Sequence, residues 1–303
     1  MAAALLYCTD PMNPRQVDPH FAAEAGSARA LGCVIGRIDH DALLGGRAQE
    51  AVATVPTDLG PAWYRGWMVP SDRYAALAAA LAARGCQLLT TPRRYRSAHE
   101  LPGWYDVFAA VTPPSVWMAS AAGAVPSPAE LTTLVAPLGG GPGIVKDYVK
   151  SRKHEWLEAC FVPELTDAVN LHRLVTRFVG LQEDFLAGGI VVRSFEDFGG
   201  QGRDSAGSSE ARVWWLDGEP VLVGPHPDTP EQCPDPELDQ VHDAVRKLGC
   251  RFVTTDVALR ADGVWRVIEV GDGQVSDLPR TIDPVALVTA LIAAVAGPPA
   301  GRR

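Results

Sequence analysis

The sequence predicts a protein of mixed α/β and α+β class, in which an open α/β lobe precedes two α+β subdomains. Strand-like and helix-like segments alternate over about the first 110 residues, and glycines close the helices, as in parallel α/β units. From Glu210 onward, apolar runs flank Asp-Gly dipeptides, a pattern typical of antiparallel hairpins. We therefore expect three parts, at residues 1–119, 120–198 and 199–303.

The first lobe is predicted from its alternating segments. The Ala-rich run from Phe21 to Leu31 and the run YAALAAALAARG are helix-like, and they stop at Gly32 and Gly85. The strand-like segments are ALLYC, CVIGRID, AWYRGWMV and QLLTT. Together they indicate a parallel sheet covered by helices.

The second part contains a strong helix start, because Ser127 can cap a helix that has Pro128 at its first position and Glu130 shortly after. A strand GIVKDYV, a basic stretch KSRKHEW, a helix over about 165–178 and a strand GGIVVRSF follow. The Gly-rich run over 199–210 indicates a loop between subdomains.

The third part is predicted to be antiparallel. EARVWWLD and PVLVG form a hairpin around Asp217-Gly218, and a helix near residues 235–248 leads to a second hairpin around Asp262-Gly263. The arms of this second hairpin are RFVTTDVAL and WRVIEVGDG, and a helix PVALVTALIAAVA precedes a Gly/Pro/Arg tail that we expect to fray.

Composition restricts the partners. The chain has 303 residues and a net charge of −9, which argues against broad binding to nucleic acid or to anionic membranes. No apolar run approaches the roughly 20 residues of a membrane span, and no signal peptide is evident, so we expect a cytoplasmic protein. The six cysteines lack zinc-site spacing and are expected to be reduced. A homodimer is the default expectation for a soluble enzyme.

The second hairpin carries one acid on each arm, Asp256 and Glu269, each among apolar neighbours. An ionised carboxylate in such a setting needs a cation or a donor, and Mg²⁺ prefers carboxylate, phosphate and water oxygens. The sequence therefore indicates a metal-nucleotide site. The alternative is that Asp256 ends its strand at a solvated edge and that Glu269 pairs with Arg266 or Arg260.

Three strings carry a resemblance to a known family: PGIVKDYVKSRKHEW, EARVWWLDGEPVLVG and FVTTDVALRADGVWRVIEVGDGQVSDLP. They are similar to those of the ATP-grasp superfamily, in a RimK-related branch with few characterised members. The resemblance implies a pre-ATP-grasp lobe followed by two subdomains that enclose a nucleotide cleft. It also implies an ADP-forming carboxylate-amine ligase that uses ATP and Mg²⁺, activates a small-molecule or peptide carboxylate as an acyl-phosphate and joins it to an amine.

The resemblance implies roles for particular residues. Lys146 would meet an α- or β-phosphate, and Lys150 or Lys153 would close over the nucleotide from a mobile loop. Arg193 and Glu196 bracket the exit of a strand. Adenine would contact the backbone of Ser194 and Phe195, and the ribose would contact Glu196, with Asp197 as the competing acid.

The clamp for the transferred phosphate is expected at Arg212. Glu210 lies on the same strand face and is placed with it in the nucleotide site, and a purely structural Glu210–Arg212 ion pair is the alternative. Arg65 is a candidate for holding the substrate carboxylate, with a surface ion pair as its alternative, and Arg280 is a weaker candidate.

The chain departs from the family pattern at the second metal strand, where the family shows Glu, any residue, then Asn. This chain has Glu269, Val270 and Gly271, so Asp272 or Gln274 would have to supply an oxygen. Two other hypotheses therefore stay open: a nucleotide-binding module without turnover, and a phosphotransferase acting on a small molecule. The identities of the carboxylate and the amine, the number of metal ions and the oligomeric state stay open as well.

Overall fold

The fold is described from a computed structural model over residues 3–198, 210–232, 234–279 and 281–295. The mixed α/β and α+β class is confirmed. The chain divides into two compact units. Unit 1 contains Met1–Ala98, Glu210–Val257 and Glu269–Arg303, and unit 2 contains His99–Ser209 and Ala258–Ile268.

The first sheet lies in unit 1 and is mostly parallel. Its strands are β1 (Ala4–Asp10), β2 (Asn13–Val17), β3 (Val34–Ile38), β4 (Gly60–Arg65) and β5 (Cys86–Leu88). β1 pairs in parallel with β3 on one side and β4 on the other, β4 pairs in parallel with β5, and β2 adds an antiparallel end to β1. The predicted strands are found, while β2 was not anticipated.

The helices of this lobe are α1 (Ala22–Ala30), α2 (His40–Leu44), α3 (Ala48–Ala51), α4 (Ser71–Ala82) and α5 (Pro92–His99). The two predicted helices, α1 and α4, stop where the glycines indicated, because Gly32 and Gly85 have positive φ angles of 83° and 72°. β1 is buried along nearly its whole length, as expected for a strand covered on both faces.

Unit 2 is built on the sheet β6-β9-β7-β8, formed by β6 (Ser115–Ala119), β7 (Gly143–Asp147), β8 (Phe161–Val162) and β9 (Gly189–Ser194). Its helices are α6 (Leu101–Phe108), α7 (Pro128–Val135) and α8 (Ala168–Gln182). The predicted capping box of α7 is present, with Ser127 and Glu130 bonded reciprocally. α7 and α8 pack on this sheet through a shared apolar core.

The third sheet has the order β11-β10-β12-β13, from β10 (Glu210–Leu216), β11 (Glu219–Pro225), β12 (Phe252–Leu259) and β13 (Trp265–Asp272). The turn Asp217-Gly218 joins β10 to β11 with both φ angles positive, as the Asp-Gly signal predicts. α9 (Asp239–Leu248) precedes β12, and α10 (Val285–Val295) follows β13. Trp214, Phe252 and Leu291 belong to the same apolar core as β1 and β4, so these parts form one unit.

The three-part division at residues 119 and 198 stays a prediction, although the compact units differ from it in two respects. Unit 2 begins at His99, so α6 and β6 belong with the second sheet. The hairpin tip Ala258–Ile268 also belongs to unit 2. The predicted loop at 199–209 and the tail from residue 296 lie outside the described residues. Within the described segments, no helix is long and apolar enough to cross a membrane.

Candidate functional site

The most organised polar cluster in unit 1 is built around Arg212 on β10 and Asp256 on the neighbouring strand β12. The guanidinium Nε and Nη2 donate to the two oxygens of Asp256 at 2.7 and 2.8 Å, a bidentate ion pair. The side chains are only 14% and 7% exposed, so solvent screens the pair weakly. Asp256 therefore does not end at a solvated edge, and the alternative partner of Arg212, Glu210, is not the one it pairs with.

The ionised forms of both groups are stabilised by each other. Burial raises the pKa of Asp256, but the charge and hydrogen bonds of Arg212 and His226 outweigh it and hold that pKa well below its usual range. Likewise, burial lowers the pKa of Arg212, but the carboxylate of Asp256 raises it above its ordinary value. A buried cation next to an outer layer of acids is the electrostatic arrangement that receives phosphate oxygens.

His226 completes this cluster, although no pattern in the sequence indicated it. The residue follows β11, and its Nε2 lies 3.3 Å from Nη2 of Arg212 and 3.5 Å from Oδ2 of Asp256. Burial lowers the pKa of His226, but Asp256 and Glu210 raise it above 6.5 in total. Only the register of β10 on β11, which sets Arg212 opposite Gly224, brings His226 to this place.

Glu210, His226 and Asp256 offer ligand atoms within 4.8 Å of one another, the spacing of a metal site. The two oxygens of Asp256, however, already accept from Arg212, and Nε2 of His226 lies beside the same guanidinium. A cation would therefore have to displace Arg212 from this group. Glu210 and Arg212 do reach a common cluster, which confirms that they share one strand face.

Glu269 on β13 is half-buried and forms no hydrogen bond or ion pair within the described segments. The alternative partners Arg266 and Arg260 both bind Glu196 instead, so that alternative is wrong. Glu269 contributes its negative charge to the surroundings of Arg212. It is therefore a carboxylate that retains its oxygens for a ligand.

The expectation that Asp272 ligates a metal requires correction. Asp272 is fully buried, and its Oδ1 accepts from the backbone and side-chain amides of Gln274, both at 3.0 Å. Gln274 is committed as well, since its Oε1 accepts from the backbone N–H of Tyr64 and its Nε2 also donates to Tyr74. Burial raises the pKa of Asp272 to about 7. Both residues form a buried network beneath the hairpin rather than a ligand set.

Gly271 stands where the family pattern has Asn, and the space beside it is filled by hydroxyls. A Cβ at this position would lie 3.0 Å from Oγ1 of Thr254 and 3.3 Å from Oγ of Ser276. These two hydroxyls hydrogen-bond to each other at 2.7 Å. The amide ligand is therefore replaced by two polar oxygens, not by an apolar surface.

Arg65 also requires correction as a candidate for holding a substrate carboxylate. It is 1% exposed, and its Nε and Nη2 each donate to Glu24 at 2.8 Å. Its Nη1 donates to the carbonyl oxygens of Gly273 and Ser276. The pair is neither a surface ion pair nor an open cation, and it secures α1 and β4 to the segment after β13. Arg280 lies outside the described residues.

In unit 2, Lys146 lies on β7, and its side chain is almost fully buried. Its Nζ donates to the carbonyl oxygen of Val149 at 3.2 Å, so the ammonium lies at the turn that follows the strand. Asp147 organises this turn, because Oδ1 accepts from the backbone N–H groups of Val149 and Lys150. Lys150 and Lys153 are exposed on the basic segment beyond it, as a phosphate-covering loop requires.

Arg193 is not exposed to a ligand as expected. Its Nε donates to Oγ of Ser115 at 2.9 Å, its Nη1 donates to the carbonyl oxygen of Ile268, and its guanidinium lies 5.8 Å from the ring centre of Trp104. The side chain is buried, so Arg193 braces β9 within unit 2, which corrects its assignment as a nucleotide contact.

The backbone that was expected to meet adenine is partly occupied. The N–H of Ser194 donates to Pro114 at 2.8 Å and that of Phe195 donates to Pro142 at 2.9 Å. The Phe195 ring lies 5.3 Å from Phe161, which stacks on Trp156. Adenine contacts at Ser194 and Phe195 would thus have to use carbonyl oxygens or this aromatic group.

The ribose role of Glu196 requires correction. Its oxygens accept from Nη2 and Nε of Arg266 at 2.9 and 3.0 Å, and Nη1 of Arg260 lies 3.2 Å away. Two arginines thus occupy a carboxylate that is only 11% exposed. Its neighbour Asp197 is exposed and remains the better candidate for an acid at this strand exit.

Comparison with known proteins defines the class. The model of an ATP-grasp domain family, the third family of its clade, matches residues 137–291, which is more than half of the chain. The chain belongs to this ATP-grasp family, and the expected ATP-grasp fold is confirmed. The matched range contains Lys146, Arg212, Asp256 and Glu269. No curated protein sequence matches the chain.

Solved structures share the fold at low sequence identity. The D-cycloserine synthetase DcsG is 14% identical with a TM-score of 0.66, over 97% of this chain and 100% of that one. The ATP-grasp ligase PsnB, complexed with minimal precursor, Mg and ADP, is 15% identical with a TM-score of 0.55, over 96% and 98%. A RimK domain ATP-grasp protein from Sphaerobacter thermophilus DSM 20745 is 14% identical with a TM-score of 0.59, over 96% and 100%.

Proposed function

We propose that the protein is an ATP-dependent ligase that activates a carboxylate as an acyl-phosphate and passes the acyl group to an amine, releasing ADP and phosphate. The observation that carries the proposal is the buried Arg212–Asp256 pair with His226 beside it, inside the range that matches the ATP-grasp family. The similar structures include named ligases, one of them in complex with Mg and ADP.

The transferred phosphate carries charge that must be met by donors fixed beforehand. Arg212 supplies such a donor, because Asp256 and His226 hold its guanidinium in one orientation while Nη1 makes only one long contact, 3.4 Å to the carbonyl oxygen of Asp277. The proposal further requires Lys146, with Lys150 or Lys153, to contact the same nucleotide as Arg212.

The oxygens of Glu269 and Asp256 fit Mg²⁺, which takes one or two carboxylates together with phosphate oxygens and water. Glu269 retains both of its oxygens, and Asp256 shares its two with Arg212. The ion would supply charge neutralisation at the phosphates. A single magnesium held chiefly by Glu269 suits this donor set better than two.

A nucleotide-binding module without turnover is the second candidate, and the commitment of both Asp256 oxygens to Arg212 favours it. Measuring ADP release with each standard amino acid, alone and with hydroxylamine, separates the two. A ligase gives carboxylate-dependent ADP and a hydroxamate, since hydroxylamine traps an acyl-phosphate. A binding module binds ADP and Mg²⁺ calorimetrically but releases no ADP from ATP. A phosphorylated product in place of a hydroxamate would identify a phosphotransferase.

A further inference from the structure

A cavity of about 590 Å³ lies within unit 1, between the start of α1 and the segment that follows β13. Its volume falls within the roughly 300–1,000 Å³ typical of small-molecule sites. Its lining combines charged or polar residues with an apolar wall formed by Pro19, Phe21, Ala23, Leu278, Pro279, Ile282 and Pro284. The charged residues, Arg65 and Glu24, are more than nine-tenths buried.

The charges of this cavity do not suit a carboxylate. Arg65 and Glu24 neutralise each other through two hydrogen bonds of 2.8 Å, and the remaining guanidinium nitrogen already donates to two backbone carbonyls. The next charge is the carboxylate of Asp277, which hydrogen-bonds to His20 of the lining. The net charge around the cavity is thus negative when His20 is neutral, so an amine or ammonium is favoured over an anion.

His20 gives the cavity a polar end of defined orientation. Its Nε2 lies 2.9 Å from Oδ1 of Asp277, and its ring is packed between Trp67 and Phe21 at centroid distances of 4.5 and 4.8 Å. An ionised carboxylate only accepts, so Nε2–H donates and the neutral ring keeps Nδ1 as an acceptor. Nδ1 has no hydrogen-bond partner within the described segments, so it can accept from an amine.

The apolar wall adjoins the proposed phosphate clamp. Ile282 packs against Gly224, where a Cβ would come within 2.4 Å of its Cδ1, and Gly224 is the cross-strand partner of Arg212. The carbonyl oxygen of Asp277 also accepts from Nη1 of Arg212. The cavity is therefore connected to Arg212 through both Gly224 and Asp277.

We propose that this cavity is the site of the amine substrate, and that it selects an amine with an aliphatic side chain. The side chain would pack on Leu278, Pro279 and Ile282, and the amine would donate to Nδ1 of His20. This inference rests on the proposed function, because only a ligase of this kind needs an amine beside the acyl-phosphate. It reassigns the surroundings of Arg65 from carboxylate binding to amine binding.

The wall is tested by calorimetric binding of leucinamide, which has the amine and the aliphatic side chain but no carboxylate, to enzyme saturated with a non-hydrolysable ATP analogue and Mg²⁺. We expect Ile282→Trp to fill the cavity and weaken leucinamide by at least about tenfold. The matched control is Val285→Trp, because Val285 is exposed three residues further on and does not line the cavity. Equal binding of leucinamide by wild type and Ile282→Trp, or no binding by wild type, overturns the inference.

The polar end is tested with 4-methylpentanamide, which is leucinamide without its amine. His20→Gln keeps a donor for Asp277 but removes the Nδ1 acceptor. The substitution should weaken leucinamide severalfold and leave 4-methylpentanamide unchanged. Equal loss for both compounds would mean that His20 only shapes the wall, and no loss for either would remove it from the site.

Failure of this inference is distinguishable from failure of the proposed function, because hydroxylamine is small and needs no apolar wall. Hydroxamate formation that survives in Ile282→Trp, together with lost leucinamide binding, supports both statements. Hydroxamate formation with unchanged leucinamide binding contradicts the amine site alone. Leucinamide binding without any hydroxamate leaves a ligand site in a protein that is not a ligase.

Discussion

At the scale of single residues, buried charges decide which polar side chains act on a ligand. Asp256 and Glu269 are acids on the expected strands, and Arg212 shares a face with Glu210, as the alternation of a strand predicts. Arg65, Arg193 and Glu196 are instead occupied by partners distant in sequence. Such pairings depend on tertiary packing, so residue type and spacing could not reveal them. His226 was missed for the same reason.

Replacement of Arg212 by Lys should lower the rate of carboxylate-dependent ADP release by about 100-fold or more, since an ammonium cannot grip phosphate and Asp256 bidentately. Binding of ADP and Mg²⁺ should change by less than about threefold, because Arg212 is assigned to the transferred phosphate. Arg47→Lys, at an exposed ion pair with Glu50, is the control. Turnover near the wild-type rate in Arg212→Lys would remove Arg212 from the reaction.

Asp272 should make stability depend on pH. Its pKa in the folded chain, about 7, lies above the ordinary value of 3.8, so the folded state keeps a proton that the unfolded chain loses between these values. The stability contributed by Asp272 is therefore complete below about pH 3.8 and is lost as pH rises to about 7. Above that range the buried charge costs roughly 4 kcal/mol.

The measurement is urea unfolding of wild type and Asp272→Asn at pH 5 and pH 8. Because the amide cannot ionise, the free energy of unfolding of the variant minus that of wild type should become more positive at the higher pH. A difference that stays constant, or that falls, would show that Asp272 does not titrate in this range. Asp262→Asn, at the exposed hairpin turn, serves as the comparison.

At the scale of elements, local signals were sufficient wherever the pattern was repetitive. The helices α1, α4, α7 and α10, the paired strands and both Asp-Gly turns lie where the sequence indicated, because capping residues, glycines and alternation act locally. β2, α5 and α6 were not anticipated. Four residues of β2 are exposed, and α5 has a polar, Arg-rich sequence, so neither shows the apolar periodicity that such a prediction needs.

The turn after β7 provides a test of the basic segment. Asp147 is buried, and besides Val149 and Lys150 it accepts from Nε2 of Gln182 at 2.7 Å and from the backbone of Ala187 at 3.2 Å. Asp147→Asn places an amide donor against these donors, so the turn should open and destabilise unit 2 by about 1–3 kcal/mol. Trypsin should then cleave faster between Lys150 and Lys153.

The control for this prediction is Asp167→Asn, because Asp167 caps α8 through one backbone N–H and Asn caps almost as well. Cleavage by trypsin at the same rate in Asp147→Asn and wild type would show that the turn does not depend on the carboxylate.

At the scale of the whole molecule, the chain passes between its two compact units at residues 98–99, 209–210, 257–258 and 268–269. The family resemblance, carried by three short strings, predicted the ATP-grasp class for most of the chain, and the match over residues 137–291 confirms it. The substrates were not predictable, because specificity depends on cavities assembled from distant segments, such as the one that joins α1 to the residues after β13.

Nucleotide binding should stabilise the wild-type protein against heat. A ligand at 100 times its dissociation constant contributes about 2.7 kcal/mol, so a non-hydrolysable ATP analogue with Mg²⁺ should raise Tm by several degrees. Lys146→Gln should reduce this rise, because it removes the cation assigned to an α- or β-phosphate. Lys247→Gln, at an exposed position of α9, should not. Equal shifts in both variants would separate Lys146 from the nucleotide.

The central claim is that ATP activates a carboxylate through an acyl-phosphate, and oxygen-18 transfer tests it most directly. The substrate carboxylate that supports hydroxamate formation is labelled with oxygen-18, and the released phosphate is analysed by mass spectrometry. The account predicts one labelled oxygen per phosphate released, because the carboxylate oxygen leaves with the phosphate when the amine attacks. Unlabelled phosphate, formed by attack of water on ATP, would contradict it.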